Sequence, residues 1–387
     1  MGKNMIWDLL PYYSCFVASV IMIAFVQRIY NDFKCASSLK YNVVNWAGYS
    51  ILVFFALFPV ISMFGLRYGI GVDYYNYELI YNTLHGAPFS EYWKYFLKNE
   101  GVYYVEPGYY ILNQFFSNYR FLLWGIGILV FELVCWSIKD YSKKLSFGLA
   151  IFAFLSIQYS HFLTAMRFTI AMSFILIAYK YLAENKTKHF FLFMFFSSLF
   201  HKTALVCFSF YLLKNFKSKK LNRVRNWMFV IFLISFPLIS GFLFSVVSRL
   251  AVFERYFTTA RYSISSTMNV SYSIIFHTLF AIGPILIFAK DEIFDSDNTS
   301  ILFRVCMMEL PFRVLGFYNS WITRISRLPQ VAQVLFIPLV LAKVKNTQKR
   351  VLLYIYYIIW FAFNFAYYEL VNNICTSLPY TSVFSKH

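Results

Sequence analysis

Repeated apolar runs, each near the ~20 residues an α-helix needs to cross a bilayer, constrain this chain more than any other feature. They begin at 9–28 and 44–66 and recur through 351–370. Backbone polar groups in lipid need partners within the protein, so such runs read as helices. Only 13% of the 387 residues are charged, about half the content of a soluble domain, and 60% are hydrophobic. The expected fold class is therefore all-α: a polytopic integral membrane protein, with one transmembrane domain over 1–387.

A net charge of +18 would suggest a nucleic-acid partner in a soluble protein. Here the basic residues cluster in loops beside the apolar runs, where Lys and Arg hold cytoplasmic loops in place. No basic patch lies elsewhere, so the expected surroundings are membrane lipids and no nucleic acid. The six cysteines, at 15, 35, 135, 207, 306 and 375, show no CxxC and fall mostly inside apolar runs. They read as buried packing rather than a disulfide framework. The first apolar run lacks a basic n-region and a small-residue cleavage site, so it reads as a retained span.

Charge placement sets the expected topology. Residues 180–188 are basic, and Lys214, Lys217, Lys219, Lys220, Arg223 and Arg225 form a second cluster. A single crossing over 189–213 would place one cluster outside, against the positive-inside tendency. Two half-length helices meeting near His201-Lys202 keep both inside. The expectation is a broken or re-entrant hairpin whose tip, His201-Lys202-Thr203, points at a wet cavity. Two tilted spans with an outer turn would keep the same tip. Counting the hairpin as two, about twelve membrane segments are expected, with both termini outside. A tyrosine-rich stretch, RYGIGVDYYNYELIY followed by VYYVEPGYYILN, then falls outside as a large periplasmic loop over 67–106 carrying an active-site shelf. Further outer loops are expected at 249–271 and 321–330.

Ionisable groups at membrane depth are expensive and are functional candidates by default. Arg167, His201, Arg304 and Arg313 are the deepest, and Arg67, Arg255, Arg261, Arg324 and Arg327 stand at the outer ends. The guanidinium fork matches phosphate oxygens, so arginines converging on one outer cavity, with Lys202 beside them, suggest a phosphate- or diphosphate-bearing substrate. The blander reading of each is a snorkelling residue or an ion pair. Asp73 and Glu106 flank the shelf and could take a proton, bind sugar hydroxyls or pair with Arg67. His161 and His201 could serve as bases or phosphate ligands. Tyr74, Tyr77 and their neighbours supply flat faces with polar tips, suited to sugar rings and equally to an interfacial belt. No HExxH, GxSxG, P-loop or GxGxxG stands in a supporting context. No metal-ligand spacing occurs, so neither metal nor cofactor is implied.

RYGIGVDYYNY, EPGYYILN, MRFTIAMSFILIAYKYL, FHKTAL and ITRISR follow one another through nearly the whole chain. In this order they resemble the EpsG family of bacterial polysaccharide polymerases, which sits with the Wzy-type O-antigen polymerases. The resemblance implies a GT-C-like membrane glycosyltransferase of the bacterial inner membrane, active on its periplasmic face. It would move a growing glycan from undecaprenyl diphosphate to the next lipid-linked repeat unit, beside a chain-length regulator protein. The residues carried over by position are Arg67, Gly69, Asp73, Glu106, Arg167, His201 and Arg324. Many members follow the arginine with glutamine, whereas Phe168 follows Arg167 here. Arginines such as Arg67, Arg167 and Arg324 would neutralise the leaving diphosphate, with Asp73, Glu106 or His201 as base. The stereochemical course, inverting or retaining, stays open. The rival readings are an O-antigen ligase, which tends to carry its large outer loop late in the chain, and a flippase of the lipid-linked unit, which would show repeat-related halves.

Overall fold

The computed structural model describes residues 6–36, 42–98, 104–141, 145–248, 268–316, 318, 324–372 and 375–385. Among these residues the secondary structure is helical, apart from one isolated bridge between Arg67 and Ser382. Seven helices are long and apolar enough to cross a membrane: Ile6–Asp32, Ala47–Leu66, Tyr119–Lys139, Phe147–Thr164, Met166–Ala183, Lys219–Leu243 and Thr347–Val371. Two shorter apolar helices, Lys202–Leu213 and His277–Phe288, accompany them.

The chain forms two compact units. The first comprises Met1–Ala178, Phe191–Leu205 and Tyr354–His387; the second comprises Tyr179–Phe190 and Val206–Leu353. In the first unit, α1 (Leu10–Ala36) packs on α2 (Asn42–Leu66), and α2 packs on the later span Tyr119–Lys139. Between α2 and that span run three short helices, α3 (Tyr74–Leu84), α4 (Phe89–Leu97) and α5 (Pro107–Gln114), followed by the span itself, α6. Next come α7 (Phe147–Thr164) and α8 (Met166–Ala183). α7 is apolar through its first half, carries Ser156, Gln158, Ser160, His161 and Thr164 in its second, and is almost wholly buried. Its Phe162 stacks on Phe64 of α2, ring centroids 3.7 Å apart. Only Ala165, outside helical geometry at ψ 67°, separates α7 from α8, so the chain turns sharply there.

The expected break after α8 is present. α9 (Thr187–Ser198) has 12 residues and the 3-10 helix Lys202–Leu213 also has 12. They measure about 18 Å and 24 Å, each short of a ~30 Å hydrocarbon core. A 3-10 stretch of such length is unusual, because its hydrogen bonds are poorly aligned.

In the second unit, α10 (Lys219–Ser248) and α11 (Met268–Phe288) both pack against a helix over Glu309–Leu315. The run expected as one span over 301–320 is instead interrupted at Met308, between Asp297–Met307 and Glu309–Leu315. Pro311, lacking an amide proton, leaves the hydrogen-bond ladder incomplete just past the interruption. Such interruptions separate the expected twelve segments from the seven long helices.

The C-terminal segment, for which only an outer position was expected, closes the first unit. Thr381 O accepts from the Tyr68 amide at 3.0 Å, and Thr381 Oγ1 donates to Tyr68 O at 2.7 Å. Tyr380 Oη donates to Met63 O at 2.9 Å, and Tyr12 Oη of α1 donates to Ser377 O at 2.7 Å. Buried Glu369 accepts from Ser160 of α7 and Ser377.

Candidate active site

The site builds outward from Glu106. Pro107 opens α5 without an amide proton, a position that suits proline because that proton would have no helical partner. The next residue, Gly108, lays the start of α5 on the hairpin turn: its amide donates to Leu199 O at 2.8 Å. A Cβ at Gly108 would sit 2.7 Å from that same oxygen, so only glycine permits the approach. Glu106 makes no capping bond to α5, which leaves its carboxylate for other partners.

Those partners come from two distant segments. Oε2 is paired with Arg167 Nη1 from the first turn of α8. Oε1 accepts the backbone amide of Lys202, at the hairpin tip, at 3.1 Å. Lys202 Nζ donates to Tyr104 Oη at 2.6 Å. The Arg167 guanidinium lies 5.9 Å from the rings of both Tyr77 and Tyr109. The Arg167 side chain is 22% exposed and that of Glu106 13%, so the pair is closed in but open on one side.

His201 stands at the same tip. Its Nδ1 accepts the Thr203 amide at 3.3 Å and lies 2.7 Å from Thr203 Oγ1. An imidazole whose Nδ1 accepts carries its neutral-state proton on Nε2, so the ring presents a donor there. Phe168 meets the ring edge-on, centroids 5.1 Å apart.

Arg67 lies behind this cluster, fully buried. Its guanidinium donates through Nη1 to Leu163 O at the end of α7 and through Nη2 to Met166 Sδ at 3.1 Å, and it lies 4.2 Å from the Phe64 ring centroid. Gly71, at φ 96°, approaches the same Leu163 carbonyl so closely that a Cβ would stand 2.1 Å from its oxygen. The corner therefore requires glycine both for its backbone conformation and for the space. Asp73 follows at the start of α3, half-buried, accepting a long bond from Asn76 Nδ2 at 3.4 Å, and its carbonyl accepts the Tyr77 amide at 2.9 Å. Tyr74 and Tyr77 are buried rather than displayed.

The structure thus gathers Glu106, Arg167 and the Lys202 amide into one bonded cluster in the first unit, with His201 next along the chain and Tyr77, Asp73 and Arg67 on its flanks. Arg324, exposed, and Arg327, buried, belong to the second unit. Arg255 and Arg261 lie outside the described residues. The deep arginines of the second unit have partners of their own. Arg313 pairs with Glu309, one turn back on its own helix, and Arg304 donates to Leu213 O at 2.9 Å and Asn215 Oδ1 at 2.6 Å. Gln333 and His277 also face Glu309. The cluster's own side of the chain holds one residue that sequence reasoning passed over. Arg120 of α6 donates to Arg67 O at 2.6 Å, Gly65 O at 2.9 Å and Tyr74 Oη at 3.2 Å, and so ties the shelf to α6. Its position in the first turn of an apolar span, beside a tyrosine, was the available signal. Among the described residues, no three His, Cys, Asp or Glu side chains gather at metal-ligand distances.

The acid–base state of Glu106 follows from its surroundings. Burial acts to raise its carboxyl, but the Arg167 guanidinium, His201 and the Lys202 amide outweigh burial and hold it below the usual carboxylate range. A carboxylate lowered by folding contributes stability that is complete above its unfolded value, about 4.3, and lost as pH falls through the folded value. In detergent, the melting temperature should hold from pH 7 to about 5 and fall in more acid solution. Glu106→Gln should melt lower at neutral pH and show a shallower acid limb. An identical limb in that variant would remove Glu106 from this account.

The EpsG family model matches residues 50–382, most of the chain. Comparison with curated proteins and with solved structures gave no match.

Proposed function

The chain belongs to the EpsG family, and from that premise we propose that it is a Wzy-type polysaccharide polymerase of the bacterial inner membrane, working on the periplasmic side. Its substrates would be oligosaccharide repeat units on undecaprenyl diphosphate. The observation that carries the reading is the polar cluster at the broken hairpin: the Glu106 carboxylate holds the Arg167 guanidinium and the Lys202 amide, while the Lys202 ammonium bonds Tyr104 of the tyrosine-rich shelf. Discontinuous helices survive at membrane depth where they line a cavity, and buried ionisable groups there mark substrate paths.

In the proposed reaction an acceptor hydroxyl at the non-reducing end of the incoming unit attacks the anomeric carbon of the growing chain. The new glycosidic C–O bond forms, the C–O bond to the diphosphate breaks, and the hydroxyl proton passes to a base. Arg167 and Lys202 stabilise the charge that develops on the departing diphosphate, the contribution that is usually largest in such chemistry. Tyr74 and Tyr77 stiffen the wall against which sugars lie. Arg67, with no exposed surface, acts from behind as a positioning residue.

The three base candidates now differ. Glu106 is held by Arg167 and the Lys202 amide, and its lowered pKa makes it a weak base. His201 presents an Nε2 proton and serves better as a donor to an oxygen of the substrate. Asp73, half-buried and accepting a long bond from Asn76, is the carboxylate assigned to the hydroxyl proton. Asp73→Asn should slow polymerisation of a purified lipid-linked repeat unit by about 10²–10⁴-fold, the usual range for a lost general base, read as glycan ladder length. Long ladders at wild-type rate would remove Asp73 from the role. Loss of the whole gene should leave single repeat units on the acceptor, whereas a strain with none there would favour a flippase.

A further inference from the structure

One surface groove is unused by that reaction. It runs along the first turns of α10 and is lined by Lys219, Asn222, Arg223, Asn226, Trp227 and Val230. These residues recur at the i, i+3, i+4 spacing of a single helix face. The groove is built on a fixed frame: Asn222 bonds both the amide and the carbonyl of Phe216, at 2.7 and 2.8 Å. Arg225 is held by Lys214 O and, at 2.8 Å, by Asn215 Oδ1. Lys219 and Arg223 are exposed, and among the described residues neither forms an ion pair with a carboxylate.

α10 has 30 residues, about 45 Å, and so exceeds a ~30 Å hydrocarbon core. Its basic first turns stand where headgroups lie. Trp227 marks the boundary, as tryptophan does at membrane interfaces. Beyond it Val230, Ile234 and Leu238 continue that side of the helix at i, i+4 and i+8, and all three are exposed. A charged amide-lined end running into an exposed aliphatic face matches an amphiphile with an anionic head and apolar tails.

We propose that this groove is a binding site for the phosphate headgroup of an anionic phospholipid, with Lys219 and Arg223 as the charged contacts, Asn226 as a hydrogen-bonding contact and the lipid tails along the outer face of α10. Charge complementarity and the length of α10 support that occupant.

Native mass spectrometry of the detergent-purified chain tests the site with dioleoyl phosphatidylglycerol and dioleoyl phosphatidylcholine added at equal concentration. The wild type should retain phosphatidylglycerol at least ten-fold better. K219Q/R223Q should lose that preference, while K217Q/K220Q, which removes equal charge outside the groove, should keep most of it. Millimolar glycerol phosphate should not displace the bound lipid, because it lacks the tails. Equal retention of the two lipids, equal losses in the two double variants, or displacement by glycerol phosphate would each overturn the proposal. Displacement by an equal concentration of polyprenyl diphosphate would also overturn it and assign the groove to the carrier lipid.

Discussion

Arg167→Ala is expected to reduce polymerisation by about 10²–10³-fold, the size of effect seen when one charge-stabilising donor is removed from a catalytic centre. It should also cost roughly 3 kcal/mol of stability, because Glu106 is left buried without its counterion. The two effects can be separated. Glu106→Gln placed on Arg167→Ala removes the stranded charge, so the double variant should recover most of the lost melting temperature. Its glycans should remain short, since the guanidinium proposed to meet the diphosphate is still absent. Recovery of long glycans in the double variant would show that Arg167 serves only to hold the fold.

Arg67→Met is the second large effect, and it divides volume from charge. Methionine replaces much of the buried stem but not the guanidinium. The Leu163 carbonyl loses a charge-assisted donor worth about 1.5–3 kcal/mol, while the cost of burying a cation among rings disappears. The net change in stability should stay within about 2 kcal/mol. Polymerisation should fall by roughly 10–10²-fold, because the corner between α7 and α8 orients Arg167 and its positive charge raises the potential of the site. Arg67→Lys, which keeps the charge but not the fork, should fall between wild type and methionine. Wild-type ladders from Arg67→Met would reduce Arg67 to packing.

Some of this was readable in the residues because it rests on charge. Basic clusters on both sides of 189–213 cannot both face the cytoplasm unless the chain turns back, and it does turn at Leu199–His201. Arg167 and His201 stood out because ionisable groups are rare in apolar sequence, and Arg167 pairs with Glu106, which also takes the Lys202 amide. Other features depend on packing, which has no one-dimensional signature. Arg313 stood among the candidate phosphate ligands with an ion pair as the alternative, and the ion pair is what forms, with Glu309 at i−4. Ser160 and Ser377, 217 positions apart, both donate to Glu369, and no periodicity announces that meeting. The interruption at Met308 was masked by an apolar run of the right length.

The bonds joining Tyr68 to Thr381, and Met63 to Tyr380, carry a consequence for biogenesis. Arg67 is synthesised more than three hundred residues before the strand-like partner, Ser382, that closes its corner. During translation the early helices can insert, yet the corner stays unlatched until that far segment leaves the ribosome. A nascent chain therefore holds an incomplete wall of the proposed site through most of its membrane insertion. A nonsense codon at 375 would spare the seven long helices and still leave the latch missing.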